Sequence, residues 1–189
     1  MSCSNSSEPA GVRVFVGQVA ENDARVGIVA TAHHARLFLC GGPTSYSSAT
    51  HWFSLDLTPS AQIAAEGGTT GSFSVAGHIG PTSAGGTLTL PDGSTLTFQA
   101  SPVSTGSLSG LYEADAPCGK AGLIVAEATS QSPATGQGAC IPPPTSGSPA
   151  SPILQVTPVE PIARAADGSV RVSVDGQEIA LIAAKAPTP

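Results

Sequence analysis

Charge is what this chain has least of. Asp, Glu, Lys and Arg make up 11% of it, against roughly 25% in an ordinary soluble domain. Seven Lys and Arg are outnumbered by thirteen Asp and Glu, and the net charge is −6. No basic cluster exists, so the counterion release that drives nucleic-acid binding has no source, and nucleic acid is excluded as a partner. Anionic membrane surfaces are disfavoured for the same reason. No apolar run approaches the ~20 residues that a membrane-spanning helix needs.

Catalytic and metal-binding signatures are also missing. There is no His-Glu-x-x-His, no Cys-x-x-Cys and no Gly-x-Ser-x-Gly elbow. No Gly-rich stretch ends in the Gly-Lys-Ser/Thr of a phosphate-binding loop. The carboxylates Asp56, Glu66, Asp92, Glu113, Asp115 and Glu127 are scattered. Adjacent His33 and His34 point to opposite faces of an extended chain, so one metal cannot take both, although His51 could join one of them across a sheet. The expectation is therefore no catalytic residue, no metal and no cofactor.

What the chain does have is punctuation. With 22 Gly and 17 Pro, it is interrupted too often for long helices and reads as many short strands joined by turns. The clearest signal is TLTL-PDG-STLTF at 87–98. Leu88 and Leu90, then Leu96 and Phe98, alternate on either side of Pro91-Asp92-Gly93, the pattern of a half-buried hairpin. Alternation continues elsewhere. Val12, Val14 and Val16 oppose Phe15, giving a strand apolar on both faces. Leu37 and Leu39 oppose Phe38 and Cys40, and Phe53, Leu55 and Leu57 oppose Trp52, Ser54 and Asp56. The continuous run AGLIVAEA at 121–128 predicts a strand buried on both sides. A two-residue turn at Asp175-Gly176 predicts a second hairpin near the C-terminus.

One helix is expected, a short one near 59–66, where Thr58-Pro59 supplies a cap and a first-turn proline and glycines follow. Residues 130–152 collapse to Ser, Pro, Gly and Thr and read as a Pro/Ser-rich excursion. Two or three strands do not hold together alone in water. The C-terminal strands should therefore pack back on the main body and cover exposed edges. The predicted fold is all-β: a single antiparallel β-barrel or β-sandwich of about eight to eleven strands, spanning residues 11–184 behind a flexible tether at 1–10.

Of the four cysteines, Cys118 and Cys140 flank one strand-loop unit and are expected to pair. Pairing of Cys40 with either one stays open, as does a role for Cys40 as a small buried hydrophobe. Trp52, with His51 beside it, and Tyr112 are the candidate binding residues. An aromatic flanked by small polar groups suits a shallow ligand or partner surface, whereas inside a closed barrel Trp52 would be core.

The opening Met1-Ser2-Cys3-Ser4-Asn5-Ser6-Ser7-Glu8-Pro9-Ala10-Gly11 resembles the front of a mature bacterial envelope lipoprotein, in which a Cys is followed at once by a polar tether. The resemblance implies a lipid on Cys3 and an extracytoplasmic protein anchored to the bacterial envelope, in the periplasm or at the cell surface. Cys40-Gly41, Trp52-Phe53, the Gly85 to Gly93 hairpin, Phe98-x-Ala100 and Gly110-Leu111-Tyr112 are similar to the turn glycines and aromatics of small secreted β-meander modules. The functional expectation is a non-enzymatic binding or structural module of the cell envelope, with an envelope protein or a small apolar ligand as partner. A lipocalin-like ligand-binding barrel is the alternative, and an all-β hydrolase comes third.

Overall fold

The computed structural model describes residues 11–65, 72–127, 133–143 and 152–185. Every regular element among them is a strand. The first eight are β1 (Arg13–Val19), β2 (Arg25–Ala30), β3 (His34–Cys40), β4 (His51–Asp56), β5 (Gln62–Ala65), β6 (Ser74–Ile79), β7 (Ala84–Thr89) and β8 (Thr95–Pro102). They form one antiparallel sheet in the order β4-β3-β2-β1-β8-β7-β6-β5. The sheet is thus two four-strand meanders joined where β1 pairs with β8. Its outer strands curl toward each other until Leu57 bridges Ile63, which nearly closes a barrel.

The remaining strands are β9 (Gly110–Ala116), β10 (Gly119–Ala126), β11 (Thr135–Ile141), β12 (Leu154–Pro158), β13 (Val170–Val174) and β14 (Gln177–Ala183). They close completely, in the order β10-β11-β12-β13-β14-β9. The C-terminal strands therefore pack back onto β9 to β11 and build a second body of their own. Closure removes the exposed edges that a free hairpin would carry.

Period-two alternation explains both interiors and the contact between them. In β3, Ala35, Leu37 and Leu39 point into the eight-stranded body with Phe15, Ile28, Leu88 and Phe98. In β10, Ala121, Leu123 and Val125 fill the six-stranded body with Tyr112, Val172 and Leu181. The opposite faces of the same strands meet each other: Val29, Phe38 and Cys40 pack on Leu111, Ile124 and Ala139. Strands that read as apolar on both sides are thus the ones that serve a barrel core and the inter-barrel core at once. Arg25 Nη1 donates to Thr135 O at 3.2 Å, and Gln137 Nε2 donates to the carbonyls of Asp23 and Cys40, adding polar ties across this contact.

The hairpin turns follow their chemistry. Asp92 Oδ1 accepts from the N–H and hydroxyl of Ser94 at 2.8 and 2.6 Å, and Gly93 takes φ +85°. Asp175 and Gly176 both have positive φ, as a two-residue turn of that type requires.

Three expectations are corrected. The all-β class holds, but the described residues form fourteen strands in two bodies instead of about eight to eleven in one, because no pair of described strands links the two sheets and each curls round its own apolar face. Near 59–66 the chain forms a turn and then β5 instead of a helix, residue 66 lying outside the described residues. Thr58 caps nothing helical: its Oγ1 accepts the Gln62 N–H, and Ala61 sits at φ +59°, where no α-helix can continue. A helix that short is marginal, and burying Ile63 against Leu57 at the closing seam wins. Within the predicted excursion 130–152, residues Thr135–Ile141 form β11, a central barrel strand. Its glycines, which read as linker composition, allow close packing: a Cβ on Gly138 would stand 2.6 Å from the Gly122 carbonyl oxygen. The tether at 1–10, with Cys3, lies outside the described residues.

Candidate binding groove

The outward face of β4 meets the rim of the second barrel. Register places Trp52 opposite Phe38 and His51 opposite Leu39. Trp52 stacks on Phe38 with ring centroids 4.3 Å apart, and the Arg36 guanidinium lies 4.7 Å from the indole centre. A cation over an indole is held by the ring quadrupole. Below Trp52, β10 must offer no side chain, because a Cβ on Gly122 would come within 2.6 Å of Trp52 Cζ2 and 2.8 Å of Phe38 Cε1. Trp52 is thus neither an open surface residue nor barrel core: it is half-buried where the two bodies meet. Its Nε1 is buried and meets no hydrogen-bond acceptor among the described residues.

His51 stacks on Phe73 at 4.4 Å and meets Phe53 edge-on at 4.7 Å. Burial disfavours the imidazolium, so its pKa is pushed below the usual histidine value. Trp52 and His51 line a groove of about 580 Å³ together with Arg36, Asp115, Lys120 and Pro142.

Beneath this groove Glu113 joins the bodies. Its carboxylate takes Arg36 in a two-point pairing, Nη1 to Oε1 at 2.7 Å and Nη2 to Oε2 at 2.6 Å, with Lys120 Nζ 3.0 Å from Oε2. Burial alone would raise its pKa, but the hydrogen bonds and charges of Arg36 and Lys120 outweigh that and hold the carboxyl below its ordinary value. Lys120 also reaches the exposed Asp115 at 3.5 Å. The groove therefore pairs an aromatic floor with a rim of compensated charges. Arg36, Glu113 and Lys120 carry no motif, and they converge only because strands of different bodies meet there.

Tyr112 does not belong to this site. It is 1% exposed and faces the interior of the six-stranded barrel, its hydroxyl donating to Leu108 O at 2.8 Å and accepting from Arg164 Nη2 at 2.8 Å. Alternation along β9 decides this, since turning Tyr112 inward turns Leu111 and Glu113 out toward the other body.

Cys118 and Cys140 form a disulfide, which removes the rival pairings. Cys40 is a free thiol buried between the bodies. Burial pushes its pKa up to about 12 despite the opposing charge of Arg25, so it is not a thiolate nucleophile at neutral pH. His34 Nδ1 lies 2.8 Å from Asp56 Oδ1, whereas His51 sits at the far end of β4, so the histidines do not converge. Among the described residues no group of three or more His, Cys, Asp or Glu side chains is placed to hold a metal.

Fold and groove together describe an all-β protein of two abutting antiparallel bodies, a nearly closed eight-stranded sheet and a closed six-stranded barrel, with an aromatic site at their junction. The chain matches no protein-family model, no curated protein and no solved structure.

Proposed function

We propose that this protein is a non-enzymatic, extracytoplasmic binding module of the cell envelope, anchored by a lipid at Cys3, and that its partner docks in the groove around Trp52. The observation that carries the reading is the groove itself: Trp52 and His51 half-buried beside Arg36, Lys120 and Asp115 at a junction of two bodies. Aromatic anchors beside polar groups at such junctions are what recognition sites are made of. The barrel interiors are filled by large side chains such as Phe15, Phe98, Tyr112 and Leu123. That filling supports a partner held between the bodies over a small apolar ligand held inside one. The Cys118–Cys140 bond supports an oxidising compartment, where disulfides persist.

A photo-crosslinking residue at position 115, on the groove rim, tests the site in intact cells. A defined envelope adduct that disappears in Trp52→Ala, with the fold retained by circular dichroism, is the expected result. An adduct indifferent to Trp52 would overturn the site. Fatty-acid labelling of the full precursor tests the anchor: labelling that persists in Cys3→Ala would overturn it.

A further inference from the structure

A second cavity, sharing no lining residue with the groove, gathers positive charge on a chain that is acidic overall. It measures about 360 Å³, and Arg13, Arg164, Ser104, Thr105 and Ser109 are among its walls. Not one of the residues lining it is Asp or Glu. The sequence has a net charge of −6, so a cavity lined by two arginines and no carboxylate runs against the chain's overall charge. Neither arginine forms an ion pair among the described residues, whereas Arg36, Lys120 and Arg171 each do.

Both guanidiniums are held in place by neutral oxygens. Arg13 Nη1 donates to Gly80 O at 2.9 Å and Nη2 to Thr31 O at 3.0 Å. Arg164 Nη2 donates to Ser107 O and Tyr112 Oη, each at 2.8 Å. These bonds fix position without neutralising charge. Because both bonds of Arg164 leave from Nη2, its Nη1 and Nε are not used by described protein groups. The carboxylate of Glu127 is occupied by Ser107 Oγ and the Leu108 N–H, and it lines the adjoining cavity instead.

We propose that this cavity is a binding site for a phosphate group, taken by Arg164 with Arg13 and with the hydroxyls of Ser104, Thr105 and Ser109. A guanidinium fork matches phosphate oxygens in two-point geometry. Two cations and three hydroxyls offer more donors than a carboxylate can accept, whereas a phosphate presents three acceptor oxygens at once. The phosphate can come from a soluble ester or from a phospholipid headgroup, and the chemistry is shared. This inference does not rest on the groove around Trp52.

Calorimetric titration of the full chain with inorganic phosphate and with glycerol phosphate tests it, beside flotation with phosphatidylglycerol or phosphatidylcholine vesicles. Phosphate should bind, weaken as salt is raised, since partly exposed charges are screened, and lose about tenfold or more in affinity in Arg164→Gln. Arg171→Gln should leave binding unchanged. Binding of both soluble ligands without flotation assigns a soluble ester. Flotation with phosphatidylglycerol only, abolished in Arg164→Gln, assigns a lipid headgroup. If Arg164→Gln unfolds, Thr105→Asp, which puts a carboxylate into the cavity, should produce the same loss. No phosphate binding by the wild type, or binding indifferent to both variants, overturns the proposal.

Discussion

Replacing Glu113 by Gln should loosen the joint between the two barrels. The substitution keeps shape and removes the charge that Arg36 and Lys120 share. Breaking a fully buried pair strands the surviving charge and costs about 3–5 kcal/mol. Arg36 keeps 19% of its side chain exposed and Lys120 34%, so water recovers part of that. The expected loss is about 2–3 kcal/mol, or a Tm lower by about 4–12 °C for a chain of this size. Urea unfolding followed by Trp52 emission and by circular dichroism measures it, since Trp52 is the only tryptophan. The decisive comparison adds Arg36→Met, alone and combined with Glu113→Gln. If the pairing holds the bodies together, the double variant should be more stable than the sum of single losses requires, by about 1 kcal/mol or more. Additivity within about 0.5 kcal/mol would refute the coupling. The pH dependence has a fixed sign. Glu113 has a folded pKa below its ordinary 4.5, so its stabilisation is complete above that value and fades as pH falls through the folded one.

Three further outcomes are expected. Gly122→Ala should cost about 1–3 kcal/mol by overpacking and shift Trp52 emission, because the new methyl enters the space of Trp52 and Phe38; unaltered emission would show that the indole is not held there. Replacing Cys118 and Cys140 by Ala should cost about 3 kcal/mol through the closed loop they define, read by urea unfolding against the wild type under non-reducing conditions. His51, with its pKa lowered by burial, binds fewer protons folded than unfolded near pH 6. Stability should therefore decline as pH falls below the unfolded value of about 6.5. His51→Gln should flatten that decline in Tm from pH 7.5 to 5.5, and parallel profiles would refute it.

Much of the local structure is legible in the residues because strand faces obey a period of two. The Pro91-Asp92-Gly93 and Asp175-Gly176 turns, the inward Phe53, Leu55 and Leu57, and the doubly buried run from Ala121 to Val125 all follow from alternation and turn chemistry. The Thr58-Pro59 stretch misled because its capping signal is local, while burial of Ile63 at the Leu57 bridge is decided by a distant strand edge. Composition misread Thr135–Ile141 in the same way, since glycines that fit between crowded strands look like linker glycines until the neighbours are known.

By itself, then, the order of residues determined the all-β class, where the Pro91-Asp92-Gly93 and Asp175-Gly176 hairpins turn, and which strand faces are apolar. It could not say what each apolar face meets. Partition into an eight-stranded and a six-stranded body, the inward turn of Tyr112, the lodging of Trp52 between bodies and the meeting of Arg36 with Glu113 were decided by tertiary structure alone. The physical reason is that alternation fixes a side chain's direction relative to its own strand, whereas its partner depends on how sheets curl, close and abut.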